Sequence, residues 1–260
     1  MSDIEISTLR YWDEIGLFRP AERSSTTNYR YYTPQQIVAV NFIKVLSGLG
    51  VPLKTIKSME DERTPASIAE LTEKQEKLMD LKMQRLRECY SIVHTRRGLI
   101  SRGSQVVDVD KITVSEEEEV RYIRGQLNNF KKGEGFYEPF SLFCASAKEL
   151  RINLQFPVGA MHNSWEEFRE AQGEPHYFLS LDPTGNSVRP AGRYVVGYTR
   201  GFYGEFGDLA ERMTRFIEEN ELNVVGPAYA TYLHDEVCVR DSKQYLAQVC
   251  VAIGKKNTRD

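Results

Sequence analysis

Residues 7–32, STLRYWDEIGLFRPAERSSTTNYRYY, constrain this chain more than any other stretch. Ile6, Leu9, Tyr11/Trp12 and Ile15 recur at helical spacing, so a short helix with one apolar face is expected. Gly16 suits its stop, because glycine enters the left-handed conformation beyond a helix end at little cost. Pro20 breaks the chain. A polar turn with Arg23 follows, then the cluster Tyr29-Arg30-Tyr31-Tyr32. This order reads as a short helix followed by a basic, aromatic wing. Thr33-Pro34-Gln35-Gln36 then signals a second helix: Thr33 can cap, Pro34 suits the first position and Gln36 can close a capping box. The helix continues through Ile37, Val40, Phe42, Ile43 and Leu46 to Gly50. Pro52 opens a shorter one with Leu53, Ile56 and Met59 on one face.

Thr64-Pro65 repeats the cap-and-proline signal, and a single long helix is expected from Pro65 to about residue 100. Leu71, Leu78, Leu81, Leu86, Cys89 and Val93 make an imperfect apolar stripe among Lys, Arg, Glu and Gln. Such length with a narrow seam points to an interhelical zipper, with a helix docked on its own body as the other reading. Residues 101–104 read as a linker. The composition then changes. Segments 119–126, 151–158, 176–181, 193–201, 228–233 and 245–253 are rich in β-branched and aromatic residues and read as strands. Helical stretches fall near 136–150 and 205–219. The second half of this region runs strand, helix, strand, strand, and a twofold β-α-β-β repeat is plausible.

At 260 residues about two domains are expected. No segment approaches the ~18 apolar residues of a membrane helix, and no signal pattern opens the chain, so a cytoplasmic protein without membrane contact is expected. Cys89, Cys144, Cys238 and Cys250 are scattered, and His94, His162, His176 and His234 lack ligand spacing, so neither metal nor cofactor is expected. Net charge is −3, but residues 1–58 carry seven Lys/Arg against five Asp/Glu. That asymmetry weakly fits a nucleic-acid-binding end on an acidic body.

The helix, wing and TPQQ helix together resemble the winged helix-turn-helix head of MerR-family transcription regulators. In that family a supporting helix precedes the first helix seen here, where only residues 1–5 stand. The head is therefore expected to be truncated, leaving Ile6, Leu9 and Trp12 short of cover. The resemblance implies that Thr8, Arg10 and Tyr11, near the start of the recognition helix, meet the major groove, and that Arg23, Tyr29 and Arg30 grip the backbone from the wing. On the residues alone, a solvated basic loop beside core tyrosines is the alternative.

The remainder resembles the GyrI-like effector-binding domain, a duplicated β-α-β-β fold. Its markers are PAGRYVVGYTRGFYGEF (190–206), GPAYATYLHDE (226–236) and YLAQVCV (245–251). The expected architecture is α+β: a head over 1–63, a dimerisation helix and linker over 64–102, and a ligand domain over 105–253. Aromatic residues on strands suggest either a small-molecule pocket or plain core; the candidates are Phe156, Trp165, Tyr198, Tyr203 and Tyr232. The family places a glutamate in the last strand where cationic drugs bind. Gln248 takes that position here, so a neutral or weakly cationic aromatic ligand is expected, unless Glu236 supplies the charge. No nucleophile and base stand together, so no catalytic residue is named. The resemblance implies a homodimer that binds double-stranded promoter DNA and, on taking up a small apolar or aromatic ligand, distorts it for RNA polymerase. The alternatives are a small-molecule-binding protein, or a GyrI-like hydrolase, that no longer binds DNA tightly.

Overall fold

The computed structural model describes residues 4–61, 64–130 and 136–254, with the backbone alone at 59–61. The expected apolar position at Met59, like residues 1–3, lies outside the described side chains. The chain divides into two compact units, Met1–Gln84 and Arg85–Asp260.

The first unit holds α1 (Ile6–Glu14), β1 (Glu22–Arg23), β2 (Arg30–Tyr31), α2 (Gln36–Gly48), α3 (Leu53–Asp61) and the start of α4 (Pro65–Ser104). Gly16 ends α1 at φ +69°, and the Lys57 ammonium donates to the Ile15 carbonyl at 2.7 Å, a cation at a helix C-terminus. The chain turns back at once: the amides of Leu17 and Phe18 both donate to the Trp12 carbonyl. Trp12 is thereby buried at 4% exposure with Leu17, Phe18, Val40, Ile43 and Ile56, and Leu9 packs on the same cluster. The expected loss of cover thus holds only for Ile6, 70% exposed. Val38 and Val45 on α2 are also open. At the start of α2 the Gln36 side chain accepts from the Thr33 amide at 3.0 Å and donates to the Arg19 carbonyl at 2.9 Å, which is one half of the expected capping box. At α4 the box is complete: Thr64 Oγ1 accepts from the Ser67 amide, and the Thr64 amide donates to Ser67 Oγ.

In the second unit α4 runs on through residues 101–104, the expected linker, to Ser104. Gly103 makes this possible, since a Cβ there would lie 2.6 Å from His234 Nε2. After α4 come β3 (Thr113–Glu117), β4 (Val120–Arg124), α5 (Tyr137–Ser146), β5 (Val158–His162), α6 (Trp165–Glu170), β6 (Tyr177–Ser180), β7 (Ser187–Arg189), β8 (Gly192–Arg200), α7 (Leu209–Glu219), β9 (Val224–His234), a 3-10 turn (Ser242–Gln244) and β10 (Leu246–Ile253). The expected strand at 151–158 is a turn. Arg151 has φ +55°, and Asn153 Oδ1 accepts from the Gln155 amide, the local bond by which asparagine competes with extended pairing.

One eight-stranded antiparallel sheet results, in the order β3-β8-β10-β9-β5-β6-β4-β7. The order contains the repeat. β4-α5-β5-β6 and β8-α7-β9-β10 occupy mirrored places and meet at the β5–β9 pair. Each repeat's lead-in strand sits on the far edge of the other: β3 beside β8, β7 beside β4. Successive strand residues face opposite sides. Ala230, Val249 and Val251 pack on Leu209 and Met213 of α7. Tyr194, Val196, Tyr229 and Cys250 face the other way, toward Leu99 of α4.

Candidate functional site

In the first unit the wing is a two-residue antiparallel ribbon that sets Arg23 directly opposite Arg30. Two like charges across a ladder repel. Asp13, at the end of α1, resolves this: its Oδ2 accepts from Arg30 Nε at 2.5 Å and from Arg23 Nη2, and its side chain is 5% exposed. The Asp13 hydrogen bond also raises the Arg30 pKa above its ordinary value. Both wing arginines expected to grip DNA are therefore engaged in fixing the wing to α1. Arg10, Tyr11 and Tyr29 are exposed, and Thr8 is half-buried. Asp13 was not singled out in the sequence because its partners lie in another element.

In the second unit the face toward α4 holds an inner cavity of about 460 Å³, walled by His94, Leu99 and Arg102 of α4 and by Tyr122, Tyr229 and Gln248 of the sheet, among others. Gln248 is buried. Its Oε1 accepts from Arg102 Nη1 at 3.4 Å and its Nε2 donates to Tyr198 Oη at 3.3 Å. Arg102 also donates to Glu117 Oε2 at 2.8 Å, and Arg189 Nη2 reaches the same oxygen at 3.2 Å. Two guanidiniums thus converge on one buried carboxylate. Arg189 further donates to Cys250 Sγ at 2.9 Å, while its Nε has no partner among the described residues. Burial pushes the Tyr229 hydroxyl well above its ordinary pKa, so it stays a neutral donor.

The opposite face holds an outer cavity of about 450 Å³, lined by Phe156, Tyr203 and Tyr232 together with Phe136, Tyr245 and Glu236, among others. The six ligand candidates therefore divide. Gln248 lines the inner cavity with Tyr198 beside it; Phe156, Tyr203 and Tyr232 line the outer one. Trp165 lines neither. Ser164 caps α6 through the Glu167 amide, and the Trp165 ring stacks on Phe168 in the core. Arg102, Glu117 and Arg189 were not visible as a site in the sequence, because only the curl of the sheet brings them together.

Residues 1–63 match the MerR HTH family regulatory protein family. Over 96% of its length the chain is 26% identical to the multidrug-efflux transporter 2 regulator of Bacillus subtilis, spanning 92% of that protein.

Residues 1–63 are thus a MerR-type head, and along nearly its whole length the chain is similar to a multidrug-efflux transporter regulator.

The multidrug-efflux transporter 1 regulator of the same organism is 24% identical over 98% of this chain and 95% of its own. A cryo-EM structure of an EcmrR–DNA complex in EcmrR-RPo aligns at TM-score 0.42 and 16% identity, covering 97% of this chain and 96% of that one. With its MerR-type head and two regulators similar to it along nearly its whole length, the chain is a DNA-binding transcription regulator. Among the described residues no helix is long and apolar enough to cross a membrane.

Proposed function

We propose that this regulator acts in the cytoplasm as a homodimer on promoter DNA, and that its signal is a neutral or weakly charged aromatic molecule taken up in the inner cavity. The reading rests on one contact. His94 lines that cavity and stacks at 5.7 Å on Tyr90 of the same helix. Tyr90 belongs to an exposed line of apolar side chains, Met83, Leu86, Tyr90 and Val93. Their spacing of three, four and three residues is that of a coiled-coil seam. A ligand against His94 thus presses on the helix by which two copies would pair, antiparallel by resemblance. The heads would then shift and distort the promoter for RNA polymerase, with no enzymatic step.

The ligand class follows from charge. Arg102 and Arg189 line the cavity and face Glu117 behind it, Gln248 adds an uncharged amide, and the exposed Glu118 and Glu119 complete the charged lining. Beside Gln248 a cation would meet two guanidiniums, with Glu118 and Glu119 elsewhere on the wall, whereas a flat neutral molecule can rest on Tyr122 and Tyr229 and accept from the Gln248 amide or from Arg189. By analogy with the multidrug-efflux regulators it is similar to, the regulated gene would encode a transporter. Mobility shift and run-off transcription on the chain's own promoter, with and without a panel of matched neutral and cationic aromatics, test the reading. Neutral compounds should change transcription, and Gln248→Ala should abolish that response while DNA binding persists. A response that survives Gln248→Ala would remove the inner cavity from this account.

A further inference from the structure

Arg102 and Arg189 both donate to Glu117 Oε2, but only one of them is fixed there. Arg189 is 6% exposed and is held from four sides: by Glu117, by the Glu118 carbonyl at 3.3 Å, by Cys250 Sγ at 2.9 Å, and by the Tyr194 ring, 5.2 Å from its guanidinium carbon. Arg102 is half-buried and uses a single nitrogen. Its Nη1 donates to Glu117 at 2.8 Å and, over a long 3.4 Å, to Gln248. Its Nη2 and Nε find no partner among the described residues, and the side chain lines the inner cavity. A guanidinium offers five N–H donors in one plane, so a whole edge of Arg102 is left unbonded beside the cavity.

Charge points the same way. Two guanidiniums share one buried carboxylate, which leaves this part of the wall with one positive charge in excess. Of the other charged groups lining the cavity, Glu119 pairs with Arg121 at 3.3 Å, and Glu118 is exposed, where solvent and salt screen it. A hydrogen bond from a charged donor is stronger than one between neutral groups. Arg102 is also free to exchange partners: when it turns from Glu117, Arg189 stays, and no buried carboxylate is left bare. We infer that Arg102 is a specificity-determining residue of the inner cavity, and that it selects flat aromatic molecules bearing an oxygen acceptor, a carbonyl conjugated to the ring. The inference rests on the effector reading above and names the chemistry of that ligand. It also gives the signal a path. Arg102 belongs to α4, so the helix trades a bond to the sheet for a bond to the ligand.

2-Acetylnaphthalene and 2-isopropenylnaphthalene have nearly the same shape, and only the first carries an oxygen. Equilibrium dialysis against the full chain should show tighter binding of the ketone by about tenfold or more, the size of one hydrogen bond to a charged group. Arg102→Met keeps the apolar stem and drops the donors. It should bring the ketone within about threefold of the alkene and leave the alkene's own affinity unchanged, which also shows that the cavity is intact. Equal binding of the two compounds by the unaltered protein would overturn the assignment, whether or not the variant folds. A ketone preference that survives Arg102→Met and disappears in Gln248→Ala would give the oxygen to Gln248, refuting the inference while leaving the effector reading in place. Binding of neither compound would take the effector reading down with it.

Discussion

Arg189 Nη2 donates to Glu117 Oε2 at 3.2 Å although the two residues sit on strands at opposite ends of the sheet order. β7 and β3 share no ladder, yet this pair, with Arg189 also reaching the Glu118 carbonyl at 3.3 Å, ties one edge of the sheet to the other. The curl that makes a cavity out of a sheet face is fastened here. Because each edge strand leads into the opposite repeat, the same contact holds the two halves of the duplication to each other.

Removing one partner from this buried pair should be costly. Glu117→Gln leaves the Arg189 guanidinium, 6% exposed, without its counter-charge, a situation that costs about 3–5 kcal/mol. The double variant Glu117→Gln/Arg189→Met removes both charges and should recover much of the loss. Urea unfolding of the single and double variants measures the coupling. A double variant as unstable as the sum of the two singles would mean that the pair does not fasten the sheet.

The α4 seam makes a prediction about mass. The line Met79, Met83, Leu86, Tyr90, Val93 keeps a four-three alternation, whereas Leu78, Leu81 and Cys89, counted in the stripe on composition, lie round the helix from it at about 100° per residue. Leu86→Lys with Val93→Lys should therefore shift sedimentation toward monomer, while Leu78→Lys should do so much less. Equal effects at all positions would deny the heptad register.

On the head, Asp13 should matter to DNA binding without touching DNA. Asp13→Ala leaves Arg23 and Arg30 facing each other across the wing, so affinity should fall for specific and non-specific sequences alike, as it should for Arg30→Ala. Arg10 is exposed, and Arg10→Ala should weaken the specific site more than competitor DNA. If Arg10 instead meets only a phosphate, both fall together and the slope of log K against log salt drops by about one. Mobility shifts over a salt series separate these outcomes.

Much of this molecule is legible in its sequence, for identifiable reasons. Gly16 and Gly50 end their helices at φ +69° and +83°, because helix ends are written locally. The strands at 193–201 and 245–253 fall within a residue of β8 and β10, since each carries a run of β-branched or aromatic residues. The short β3 and β7 went unseen: with sequences TVSEE and SVR, they take their strand character from the partners they edge. The candidate site was least legible. Strand alternation gives the two faces of a sheet, but Phe156 lies in a turn, and which aromatics share a cavity depends on which helices cover each face. Charge partners such as Asp13 for Arg23, or Glu117 for Arg102, are separated by turns or by the whole curl of the sheet.

The last prediction concerns acid. His162, on β5, is 1% exposed, and neither ring nitrogen has a hydrogen-bond partner among the described residues. Its ring packs edge-on against Phe168 at 5.2 Å and faces His176 at 6.0 Å; His176 in turn lies 3.5 Å from Glu167. Burial, and then the neighbouring His176, lower the His162 pKa from 6.5 to about 4. The folded protein thus keeps this ring neutral where the unfolded chain protonates it. Between about pH 4 and 6.5 unfolding takes up a proton, so stability is full above that window and falls as the pH drops through it. The loss should be about 2 kcal/mol at pH 5 and about 3 kcal/mol in all. His162→Leu removes the titration and should flatten that part of the profile, whatever it does to stability at neutral pH. Urea midpoints at pH 7 and pH 5 for both proteins decide the matter. If the variant loses as much stability as the parent over that interval, the acid sensitivity lies in the carboxylates, and the burial of His162 has no part in it.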